Sequence, residues 1–215
     1  MLELFRHERG LRTAMLWVSF FCCLLLVYLL SSWLPKVLQE AGYAEKASLL
    51  SLFSLNFGGM VGAIVGGWLG DKFGLPKVVV GFFAAAAVSI ALIGFNPPAG
   101  VLFLLVFIAG AATIGTQILL YANTAQFYPL AMRSTGSGWA SGVGRTGAIV
   151  GPLLGGSLLA AALPLQMNFL VFAIPGLVAA LAMGCFILFN RRSATPLVAP
   201  VANPASRRAP TAVSG

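Results

Sequence analysis

The stretch Arg133-Ser134-Thr135-Gly136-Ser137-Gly138-Trp139-Ala140-Ser141-Gly142-Val143-Gly144-Arg145-Thr146-Gly147-Ala148-Ile149-Val150-Gly151-Pro152-Leu153-Leu154-Gly155-Gly156 decides the fold of this chain. It opens with a cation and a helix-start signal, Ser134-Thr135, then runs apolar and rich in small residues to about Leu163. Arg145 interrupts that run. At a rise of ~1.5 Å per residue it stands ~18 Å along a helix from Arg133, beyond the nearer headgroups except by a long snorkel. Gly147, Gly151 and Gly155 recur every four residues and form one stripe without side chains. An arginine at membrane depth beside a flat glycine face predicts a helix packed inside a bundle, its charge turned to a polar cavity. That pattern belongs to transport more than to catalysis.

The composition agrees. Of 215 residues, 59% are hydrophobic and 8% are charged. A water-facing surface calls for roughly a quarter charged residues, so the fold class is an all-α, polytopic membrane protein. The net charge of +8 does not point to nucleic acid, because the cations sit at the ends of apolar runs rather than on one basic face. Cys22, Cys23 and Cys185 lie inside apolar runs, and no Cys-x-x-Cys or histidine spacing suggests a metal. His7 precedes the first span among charged residues. No cofactor is expected. The first apolar run is too long for a signal peptide and follows Arg6, Arg9 and Arg12 without a cleavage site.

Six apolar spans of about bilayer length follow, near residues 13–34, 47–70, 78–95, 101–121, 135–162 and 167–189. Pro35 and Lys36 are expected to end the first, and a tight loop over 71–77 to join the second and third. Tyr121 to Gln126 reads as a polar end to the fourth, while Pro152 and Pro175 fall inside the fifth and sixth. Residues 1–12 read as a cytoplasmic linker, 13–190 as the transmembrane bundle and 191–215 as a disordered cytoplasmic tail. Arg6, Arg9, Arg12, Lys72, Lys77, Arg133, Arg191 and Arg192 fall on one side of these spans, and only Lys36 and Lys46 on the other. Both termini are therefore expected in the cytoplasm.

Two stretches carry a resemblance. Gly67-Trp-Leu-Gly-Asp71-Lys72-Phe-Gly74-Leu-Pro-Lys77 resembles the glycine, aspartate and cation loop of major facilitator superfamily transporters. Gln117 to Pro129, followed by Arg133 to Trp139 and Gly142 to Pro152, is similar to the fourth-to-fifth span junction of aromatic acid:proton symporters. Those carry 4-hydroxybenzoate, benzoate and hydroxyphenylpropionate-type acids. The resemblance implies one half, the C-terminal one, of a twelve-helix fold in the bacterial inner membrane, with substrate between two six-helix halves. It implies an aromatic carboxylate and a proton as cargo, and an N-terminal six-helix half or a second copy as partner. Two departures stand out. Leu75 replaces an expected basic residue, and no Asp or Glu lies within the six spans to handle a proton. A carrier of another organic anion and a truncated, non-transporting membrane protein remain as alternatives. An enzyme is not expected, for want of a Ser/His/Asp set or an intramembrane acid.

The site candidates divide by role. Arg145 offers a planar donor fork matching a carboxylate, or else bonds a neighbouring helix. Gln117 and Tyr121 share a helix face and, with Asn56, either hold a ring hydroxyl or staple helices together. Phe20 and Tyr28 are candidates to stack on an aromatic ring, whereas Trp17 and Trp33 read as interfacial belt residues. Asp71, Lys72, Gly74 and Arg133 are candidates for gating between two conformations. Gly58, Gly62 and Gly66 in the second span, with Gly147, Gly151 and Gly155 in the fifth, read as packing surfaces.

Overall fold

A computed structural model describes residues 9–161 and 164–192. The chain forms helices α1 (Arg9–Glu40), α2 (Glu45–Phe73), α3 (Leu75–Ile93), α4 (Ala99–Phe127), α5 (Arg133–Ala160) and α6 (Leu165–Arg192). A 3-10 turn at Leu130–Met132 leads into α5, and there is no strand among the described residues. All six helices are long and apolar enough to cross a membrane.

The helices overrun the apolar runs, and each excess has a local cause. Pro35 does not end the first span but lies inside α1. One proline frees one carbonyl, whereas leaving the helix in an apolar environment would strand many peptide groups. The polar segment Tyr121 to Gln126 likewise stays helical. Thr124 donates to the Leu120 carbonyl at 2.7 Å and Thr116 to that of Ala112 at 2.6 Å, so the helix itself satisfies these hydroxyls. α1 starts at Arg9 and α6 runs to Arg192, so these helices too extend past their apolar runs. Residues 1–8 and 193–215, on which most of the linker and tail expectations fall, lie outside the described residues.

The loop expected over 71–77 shrinks to Gly74. Asp71, Lys72 and Phe73 form the last turn of α2, and α3 begins at Leu75 with Pro76 in its first turn, where a missing N–H costs nothing. Gly74 has φ 90°, and its N–H closes α2 onto the Gly70 carbonyl at 2.9 Å. A side chain is strained in that left-handed region by about 1–2 kcal/mol. Gly74→Ala is accordingly expected to lower the thermal unfolding midpoint in detergent; an unchanged midpoint would show that the turn adapts.

α2 lies along α4, α1 along α5 and α3 along α6, and α3–α4 contacts are matched by α6–α1 contacts. Exchanging the first three helices with the last three preserves this pattern, so the bundle is built from two three-helix repeats. The equivalent seams, α2–α4 and α5–α1, are both glycine seams. A Cβ at Gly58 or Gly62 would overlap the backbone of Phe107 or Ala111 in α4, and one at Gly110 the backbone of Leu55 in α2. Across the other seam, a Cβ at Gly147 would overlap Phe21, and one at Gly151 would stand 2.6 Å from the Leu25 carbonyl oxygen. Backbone-to-backbone approach is what lets apolar helices associate where lipid competes equally for apolar side chains.

Contacts at the helix ends fix the two sides of the bundle. On one side Tyr128 donates to Thr13 at 3.1 Å, Arg12 donates to Asn190 at 3.2 Å, and Phe127 meets Phe186 edge-on. On the other, the Tyr43 hydroxyl donates to the Pro97 carbonyl. Tyr128 is buried, its ring against Gly136, where a Cβ would approach within 2.5 Å. Burial pushes the Tyr128 phenol above its ordinary pKa while the bond to Thr13 opposes this. The phenol therefore stays protonated and donating at neutral pH.

Candidate functional site

α5 presents two faces of small residues about half a turn apart. Gly136, Ala140, Gly144, Gly147, Gly151 and Gly155 are buried, and this face carries the seam with α1. Gly138 and Gly142 are exposed, and a Cβ at either would meet nothing within 4 Å. Arg145 shares the open face. Its side chain is exposed, and no described residue forms a hydrogen bond or ion pair with it. The described acids, Glu40, Glu45 and Asp71, all stand in terminal helical turns, far from the middle of α5. Arg145 thus offers an unsatisfied donor fork at mid-helix depth, available to an anion.

Polar groups gather on one flank of Arg145. Ser141 precedes it by four residues and so lies on the same face. The hydroxyls of Ser141 and Tyr121 hydrogen-bond across α4 and α5 at 3.1 Å. Phe20 packs edge-on against the Tyr121 ring, with centroids 5.1 Å apart. Gln117 is half-buried one turn from Tyr121 on α4. The other flank is apolar: Thr135, Gly138, Trp139 and Gly142 line a shallow concavity of about 360 Å³. Trp139 stacks on Trp17 of α1 with centroids 6.1 Å apart.

The remaining candidates separate. Phe20 is 0% exposed, so it does not face the open side as a stacking surface; it fixes Tyr121 instead. Tyr28 is half-exposed on α1. Asn56 is exposed on α2 and donates to its own helix at the Leu52 carbonyl, 2.8 Å away. The α2–α4 register sets neighbouring Leu55 against Gly110, about 16 Å along α4 from Tyr121. Asn56 therefore does not join Arg145. Trp17 and Trp33, expected at the lipid boundary, are both engaged with α5. Trp33 donates to the Pro152 carbonyl at 2.8 Å and fills the space above Gly155. Ser141 and Trp139 escaped the sequence reading because neither residue type in an apolar run distinguishes a site from packing. Arg133 and Asp71 are exposed at the ends of their helices, and Lys72 lies over the Trp68 and Phe73 rings.

Residues 16–213 match the description of the Major Facilitator Superfamily. The chain belongs to this superfamily. It is a family of transporters, not of enzymes. Among its relatives, the benzoate transport protein of Acinetobacter baylyi is 44% identical over 93% of this chain and 43% of that protein. The gentisate transporter of Corynebacterium glutamicum is 39% identical over 80% of this chain and 38% of that protein. The 4-hydroxybenzoate transporter PcaK of Acinetobacter baylyi is 38% identical over the same shares, 80% and 38%. The chain thus spans less than half the length of these relatives, and the resemblance to the aromatic-acid group within the superfamily holds. Its six helices and paired three-helix repeats constitute one half of the superfamily's twelve-helix fold.

Proposed function

We propose that these six helices form the C-terminal half of a proton-coupled carrier of aromatic carboxylates in the bacterial inner membrane, with both termini in the cytoplasm. One observation carries the reading: Arg145 stands exposed at mid-helix depth, without a hydrogen-bond or ion-pair partner among the described residues, between the Tyr121–Ser141 hydroxyls and the concavity beside Trp139. A guanidinium there pairs with a carboxylate through two parallel hydrogen bonds. The relatives support an aromatic substrate, since their names specify benzoate, gentisate and 4-hydroxybenzoate.

The proton-handling group belongs to the partner half in this reading, because the described acids stand only in terminal turns. Asp71, Lys72, Gly74 and Arg133 lie at the ends of α2 and α5; there a carboxylate that accepts from a helix N-terminus in one conformation and releases it in the other would gate alternating access. Gln117 contributes a polar wall one turn from Tyr121, and Tyr28 an aromatic one on α1.

Uptake of labelled benzoate and 4-hydroxybenzoate tests the proposal, using this chain alone and with an N-terminal six-helix half supplied in trans. Uptake is expected only with both halves and is expected to collapse when the proton gradient is dissipated. Flat uptake in both arms, with normal membrane insertion, would overturn the substrate class.

A further inference from the structure

Ser141 has no role in the reading above beyond its place beside Arg145, yet its geometry is specific. It lies on the open face of α5, joins its hydroxyl to that of Tyr121 at 3.1 Å, and sits one turn from Arg145. Side chains of an α-helix lean toward its N-terminus, so Arg145 projects over the turn that bears Ser141. Tyr121 is held from behind by Phe20, which is fully buried. The hydroxyl pair is therefore preset rather than free to swing.

We infer that the Tyr121–Ser141 pair is the element of this site that reads ring hydroxyls, and so sets selectivity between hydroxylated and unsubstituted aromatic acids. The inference rests on the aromatic-acid reading. Its chemistry follows from the donor count. Two hydroxyls bring two protons and share one between themselves, so the pair presents both a donor and an acceptor outward. A phenol also donates and accepts, and matches such a pair. A carboxylate accepts only, and its match is the guanidinium. An acid held by Arg145 over the turn of Ser141 lies beside Ser141 and Tyr121, and its ring, turned toward α4, presents a ring hydroxyl to the pair.

The test is equilibrium binding of radiolabelled 4-hydroxybenzoate and benzoate to the full chain in lipid nanodiscs, alone and paired with an N-terminal half. Tyr121→Phe and Ser141→Ala are each expected to weaken 4-hydroxybenzoate about 3- to 10-fold, the value of one hydrogen bond between neutral groups. Benzoate should stay within about twofold. Ser141→Thr, which keeps the hydroxyl, should restore the wild-type ratio; a purely structural defect would weaken both acids together. Equal losses for the two acids, or no change for either, would overturn the inference while leaving the aromatic-acid reading standing. Wild-type protein that binds neither acid in either arm would overturn both.

Discussion

Arg145→Ala should reduce uptake of 4-hydroxybenzoate by the assembled carrier at least about 100-fold, because removing one partner of a desolvated ion pair costs about 3 kcal/mol or more. The same change should leave insertion and thermal stability nearly untouched. Arg145 is exposed and bonds no described residue, so alanine breaks no hydrogen bond or ion pair among the described residues. That separation of effects is the informative part. An arginine that stapled two helices would lose stability and transport together. Arg145→Lys provides the graded control: an ammonium keeps the charge but lacks the planar fork, so uptake should fall about 10-fold, between wild type and alanine. Near-normal uptake by a well-inserted Arg145→Ala carrier would put the anion site elsewhere and sink the assignment.

The second large effect is expected at the glycine seams. Gly62→Leu and Gly151→Leu should prevent the bundle from assembling, and even Gly62→Ala should cost about 3 kcal/mol. At Gly62 a single Cβ would stand 2.5 Å from the Ala111 Cα. That atom belongs to the backbone, so no rotamer change relieves the clash and α2 must move off α4. Separation there removes a backbone-to-backbone contact on which the pairing of apolar helices depends. The internal control is Gly81→Ala on α3, where a Cβ meets nothing within 4 Å. It should be neutral or stabilising by up to about 1 kcal/mol, since alanine is the better helix former. Thermal unfolding in detergent, followed by size-exclusion chromatography, distinguishes the two classes. Equal midpoints for Gly62→Ala and Gly81→Ala would show that the seams are more compliant than their contacts imply.

Much of this architecture is legible in residue types alone. A chain with so few charges cannot cover a water-facing surface, so long apolar runs must cross a bilayer, and there a helix satisfies every peptide group locally. Six runs therefore become six helices, whatever their neighbours. The position of Arg145 inside such a run already marks it as a costly charge that needs a reason. Local chemistry explains the overruns too. Pro35 and the Tyr121 to Gln126 segment look like ends in a hydropathy reading, yet remain helical because leaving the helix costs more than one lost bond or a few polar side chains.

The arrangement of the site depends on contacts between residues far apart in the chain. α5 carries glycines at 136, 144, 147, 151 and 155 and again at 138 and 142. Composition cannot say which set packs and which stays open, since both lack side chains. Residues of α1 from Phe20 to Trp33, with Tyr128 at Gly136, decide it, by occupying the first set and leaving the second beside Arg145. Likewise Phe20 reads as an available ring until α4 brings Tyr121 onto it. Ser141 reads as an ordinary small residue until Tyr121 reaches its hydroxyl. Membrane insertion is a sum over single residues and can be read from the chain. Which face of a helix is buried is a property of pairs, and only the packed bundle determines it.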